Sequence, residues 1–149
     1  MGFARIVLWL SGLGFIAFGA AFMLDPLGTL ASTGIVLSGD LAAAELRAFY
    51  GGFELGVGAL ILASDLAARH RPYGLMLALG AYGGIAIGRM IGMLVGSVGT
   101  PFLWFALGVE VLLAALALVA LLRLNRTQAV SGPRTGGSPQ DGLRGLRAE

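Results

Sequence analysis

Six residues set within apolar stretches carry chemistry. Arg47, Tyr50 and Glu54 lie in "ELRAFYGGFELGVGALIL", Tyr82 and Arg89 in "AYGGIAIGRMIG", and Glu110 in "FLWFALGVEVLLA". Two carboxylates, two guanidiniums and two phenols can neutralise one another, bind a polar ligand or pass protons. Arg47 and Glu54 stand seven residues apart, as do Tyr82 and Arg89. In a regular helix that step returns to nearly the same face, so Tyr50 falls between Arg47 and Glu54, and Tyr82 shares a side with Arg89. Other chemistries lack their parts. His70 is the only histidine and there is no cysteine, which removes metal hydrolysis, thiol chemistry, disulfides and a nucleophile triad. No metal or cofactor is expected. The glycines of "GFELGVG" follow no strand, so they are not a phosphate or dinucleotide loop.

The elements that must hold these residues are helices in lipid. The chain of 149 residues is 57% hydrophobic and 12% charged, against about 45–50% and about 25% in a soluble domain. Its mean hydropathy is +0.87. Four apolar runs occur at about 3–24, 43–64, 73–96 and 102–122, each near the roughly 20 residues of a spanning helix. Backbone in hydrocarbon must bond to itself, which makes each run a helix. Asp25-Pro26, Asp40, Arg71-Pro72 and Thr100-Pro101 supply caps and first-turn prolines at the junctions. The expected fold is all-α: an integral membrane, antiparallel four-helix transmembrane bundle.

Charge orients it. Arg5, the Arg69-His70-Arg71 cluster, and Arg123 with Arg126 fall on one side, whereas the other two connections hold Asp25 and Asp40. The positive-inside rule places both termini in the cytoplasm of a multi-pass protein of the plasma membrane. The first run is longer than the 7–15-residue core of a signal peptide, and is read as a retained helix rather than a cleaved one. The connection "DPLGTLASTGIVLSGD" reads either as a short interfacial helix or as a packed loop. Residues 123–149 lose apolar periodicity and fill with Gly, Pro, Ser and Arg, the composition of a disordered cytoplasmic tail. All ten basic residues are arginine. Most flank apolar runs, where headgroups rather than nucleic acid meet them.

Glycine governs the expected packing. Gly80, Gly84, Gly88, Gly92 and Gly96 recur every four residues, and Gly52 and Gly56 repeat the pattern in the second run. Small residues at this spacing let helix backbones approach closely in lipid. The ribbon is expected to pack the protein's own bundle, with a homodimer seam as the other reading. Counted from the outer helix ends at about 1.5 Å per residue, Arg47 lies about 6 Å deep, Arg89 about 10 Å, Glu110 about 12 Å and Glu54 about 16 Å. Depth pairs Arg89 with Glu110 and leaves Arg47 and Tyr50 to serve Glu54, a network of zero net charge. Glu45 points away, at the positive start of its helix.

These stretches, with their arginine, Tyr50-Gly51-Gly52, Glu54, Gly56, Arg89 and Glu110, resemble the small bacterial membrane-protein family known as domain of unknown function 4345, over roughly residues 3–122. The resemblance implies a four-helix membrane protein and no activity. The residues themselves favour a non-enzymatic membrane protein whose outer-half cluster of Arg47, Tyr50, Glu54, Tyr82, Arg89 and Glu110 binds a small, polar or amphipathic ligand or conducts protons or ions. A competing reading is an accessory subunit docked through its glycine faces on a membrane protein partner. A third is an isomerase-type enzyme using Glu54 or Glu110 as acid and base on a lipophilic substrate.

Overall fold

The computed structural model of the chain describes residues 2–130. Helix α1 spans Phe3–Leu24 and the short α2 spans Pro26–Ala31. The second long element is composite: α3 (Asp40–Leu46), a π-helical segment (Arg47–Gly52), α4 (Phe53–Ala63) and a 3-10 turn (Ser64–Leu66). A second 3-10 turn, Ala68–His70, leads into α5 (Arg71–Gly96), and α6 runs Pro101–Val130. Phe3–Leu24, Asp40–Leu66, Ala68–Gly96 and Pro101–Arg126 are each long and apolar enough to cross a membrane. Such spans imply contact with a lipid bilayer, and the many exposed large apolar side chains, Leu24, Leu60 and Leu94 among them, then face acyl chains.

The junctions form where the side chains allow them. Asp25 accepts the Gly28 N–H at 2.9 Å with Pro26 in the first turn of α2, and Thr100 Oγ1 accepts the Leu103 N–H ahead of Pro101. Asp40 is not a cap. Gly39, at φ 95°, takes that place, and Asp40 supplies an acid in the first turn, where the helix dipole favours it. The connection between the first two spans is thus a six-residue helix leading into a turn and irregular chain. The last helix continues eight residues past the expected boundary at 122, to Val130. The rest of the expected disordered tail lies outside the described residues.

Two pairings organise the bundle. α5 packs along α6, and α1 packs along the composite second span. The second contact is backbone against backbone. A Cβ on Gly58 would sit 2.8 Å from the Gly12 carbonyl oxygen, and one on Gly19 would sit 2.9 Å from that of Gly51. The Gly80–Gly96 ribbon does not serve this purpose. A Cβ at Gly56, Gly80, Gly84, Gly88 or Gly92 meets no atom within 4 Å, Gly52 meets only the Arg47 carbonyl of its own helix, and Gly96 only Val98 just beyond its own helix. Four-residue spacing makes a bare stripe on any helix; whether another helix lies on it depends on which face the bundle turns inward. Here α5 turns Leu75, Ala78, Tyr82, Ala86 and Met93 inward instead.

Between the pairs runs a dry core. Val7, Leu8, Ile61, Leu75, Ala78, Ala117 and Ala120 are all 0–1% exposed and belong to one cluster. In sequence these residues lie between two polar groups, with Tyr82, Glu54 and Glu110 toward one end and Arg5, Asp65 and Arg71 toward the other.

Candidate functional site

The pairing expected from depth is present. Arg89 Nε donates to both oxygens of Glu110, at 3.0 and 2.9 Å, and Nη2 donates to Oε1 at 2.5 Å. Such a forked contact is the strong form of an ion pair. It ties α5 to α6, with Glu110 only 8% exposed.

Arg47 does not join it. Its Nε donates to the Met23 carbonyl at 3.2 Å, and the residue is exposed. The cause is the π segment, in which the Phe53 N–H bonds to the Ala48 carbonyl five residues back. The wider turn, at the glycine pair Gly51-Gly52, takes up about one residue more than an α turn. That residue rotates the remainder of the helix by about 100°, so the seven-residue step no longer returns Glu54 to the face of Arg47. Arg47 instead satisfies an open carbonyl at the C-terminus of α1, where the dipole favours a cation. The same end is closed by Thr29, whose hydroxyl donates to the Ala21 carbonyl at 3.2 Å.

Tyr50 is half-exposed and stacks on Phe22, with ring centroids 5.1 Å apart, and it lies within electrostatic reach of Arg89. Tyr82 is buried against Phe15, centroids 4.5 Å apart, and its hydroxyl donates to the Ser11 carbonyl at 3.0 Å. Tyr82 thus fixes α5 to α1, and it lies within electrostatic reach of both Glu54 and Glu110.

Glu54 is the exception. It is 9% exposed, Glu110 is near enough to act on it electrostatically, and among the described residues it has no hydrogen-bond or ion-pair partner. With Arg47 turned away, Glu54, Arg89 and Glu110 sum to −1 rather than zero. Ser11 Oγ, fully buried, is the one inaccessible side-chain polar atom left without a hydrogen bond among the described residues. One turn beyond the Arg89–Glu110 pair, Met90, Met93, Leu94, Trp104 and Leu107 line an apolar cleft of about 360 Å³.

A second ionic cluster was not expected from the sequence. Asp65, 8% exposed, accepts from Arg5 Nε at 2.8 and 3.1 Å, from Trp9 Nε1 at 3.1 Å and from Arg71 Nε at 2.8 Å. It joins the start of α1, the end of the second span and the start of α5. The signal for it is its isolation: no other acid occurs between Glu54 and Glu110, and arginines surround it. Among the described residues no group of three His, Cys, Asp or Glu could hold a metal ion.

A family model described as a domain of unknown function, DUF4345, matches residues 3–121. No curated protein and no solved structure matches the chain.

Proposed function

The chain belongs to the DUF4345 family, whose description names no activity, and we propose from its geometry that it is a membrane protein that binds a small or amphipathic cation at Glu54. The observation that carries this is Glu54, a residue only 9% exposed whose carboxylate has no hydrogen-bond or ion-pair partner among the described residues, near a Glu110 whose charge Arg89 already balances. A buried charge left without a counterion is strongly unfavourable, and a proton or a bound cation relieves it. The apolar cleft beside the Arg89–Glu110 pair suits a hydrocarbon portion of the same ligand.

Binding is favoured over conduction. A path for ions needs polar groups or water from end to end, and the dry layer of Val7, Leu8, Ile61, Leu75 and Ala78 separates Ser11 from Asp65. In this reading the helices are antiparallel, with both termini in the cytoplasm and the Glu54 cluster in the outer half of the bilayer. The arginines at the ends where Asp65 sits support that orientation. The bare glycine face of α5 favours a second reading, an accessory subunit or homo-oligomer docked through that face.

The test is binding of decyltrimethylammonium by equilibrium dialysis to the full chain in maltoside micelles. Glu54→Gln keeps the shape and removes the charge, and is expected to weaken binding about tenfold or more, as for loss of a charged contact. Equal binding by a folded Glu54→Gln protein refutes the assignment.

A further inference from the structure

The connection between α1 and α3 divides into two parts that behave differently. Its helical part is docked on the bundle: Pro26 is buried, Leu27 and Leu30 are half-buried, and the Thr29 hydroxyl bonds to the Ala21 carbonyl. Its irregular part is not docked. Ile35, Val36 and Leu37 follow one another there and all three are exposed, Val36 at 80%. Gly34 at φ 89° and Gly39 at φ 95° bracket them, backbone conformations that glycine adopts without strain. We infer that residues 35–37 insert into the boundary between headgroups and acyl chains, as a non-helical anchor on the bilayer surface.

Two opposing requirements fix that depth. Among the described residues, the backbone of residues 35–38 makes no hydrogen bond. Amides and carbonyls without partners are not tolerated in hydrocarbon, so this stretch of chain must keep access to water. Three consecutive exposed apolar side chains favour the opposite move, out of water. The headgroup boundary satisfies both at once. The span ends on either side continue the same surface. Leu24 closes α1 and Leu41 stands in the first turn of α3, both are exposed, and the spans they belong to are long and apolar enough to meet lipid. Between Asp25 and Asp40 there is no ionisable residue, so the segment carries no group that selects anionic lipid.

The test uses the full chain, which has no cysteine, in phosphatidylcholine vesicles. A nitroxide is attached at Val36→Cys and, in a separate protein, at Ser32→Cys, an exposed position at the end of α2. Electron paramagnetic resonance then compares collisions with oxygen, which concentrates in the bilayer, and with a water-soluble nickel chelate. At Val36 oxygen is expected to dominate, at a depth of about 5–10 Å into the boundary. At Ser32 the nickel chelate is expected to dominate. Addition of phosphatidylglycerol should leave both unchanged. Should Val36→Cys fail to fold, Leu37→Cys carries the same test. Nickel access at residue 36 equal to that at residue 32 would make the segment a solvated loop, and exclusion of both agents would mean that protein covers it. A label deep in the acyl chains would contradict the backbone requirement, and insertion only with phosphatidylglycerol would assign the contact to charge. Each of these four results overturns the proposal.

Discussion

Removing Arg89 would leave Glu110 charged, buried and alone, and removing Glu110 would do the same to Arg89. Breaking one member of such a pair typically destabilises by ~3–5 kcal/mol, whereas replacing both with neutral groups is often close to neutral. Arg89→Gln and Glu110→Gln are therefore each expected to lower the unfolding midpoint in detergent strongly. The double variant should recover most of the loss. Thermal unfolding monitored by circular dichroism reads the cycle, and additive losses would show that the two side chains do not act as a pair. This pair was legible in the sequence because α5 and α6 meet across a short connection, Ser97–Thr100, so equal depth implies adjacency. The partner assigned to Glu54 was not legible. Face arithmetic assumes 3.6 residues per turn, and nothing in "RAFYGG" announces a π turn beyond two adjacent glycines. The same turn that sends Arg47 to α1 leaves Glu54 without company, so the local departure from α geometry creates the unbalanced charge on which the proposed cation site depends. Such π insertions recur at functional sites.

At the scale of elements, the four helices could be read from hydropathy and junction residues alone, but the face each presents could not. Gly12 and Gly58, and Gly19 and Gly51, form the close contact between α1 and the second span. Their seven-residue spacing is less conspicuous than the four-residue ribbon on α5. The two sets should respond oppositely to an added methyl. In Gly58→Ala the new carbon meets the Gly12 carbonyl oxygen, a backbone atom that cannot yield without moving the helix, and a loss of roughly 1–3 kcal/mol is expected. In Gly84→Ala the carbon enters open space and gains about 1 kcal/mol of helix propensity. Comparison of the two unfolding midpoints checks this, and a stability loss at Gly84 as large as that at Gly58 would contradict the packing. Because a side chain at Gly84 would meet nothing in its own chain, a change in the mass of the solubilised particle on Gly84→Leu would report on a second molecule and strengthen the subunit reading.

The whole molecule is layered along its length. An ionic layer around Asp65 binds three helix ends, a dry core comes next, and a second polar layer contains Glu54, Tyr82 and the Arg89–Glu110 pair. The apolar layer of Val7, Leu8, Ile61, Leu75 and Ala78 thus keeps the two polar layers apart. Which layer faces the cytoplasm decides what ligand the proposed Glu54 site can meet, and the distribution of arginines supplies the expectation. Those at the Asp65 end outnumber the charges in the Asp25–Asp40 connection, so the Asp65 end should remain inside. The chain has no cysteine, which makes the prediction directly measurable with single introduced thiols. Ser38 and Ala68 are both exposed, Ser38 between the first and second spans and Ala68 at the junction of the second and third. In intact cells a membrane-impermeant maleimide is expected to label Ser38→Cys and to leave Ala68→Cys unmodified until the membrane is opened. The reverse pattern would put Glu54 in the cytoplasmic half, so that its cation would come from inside the cell.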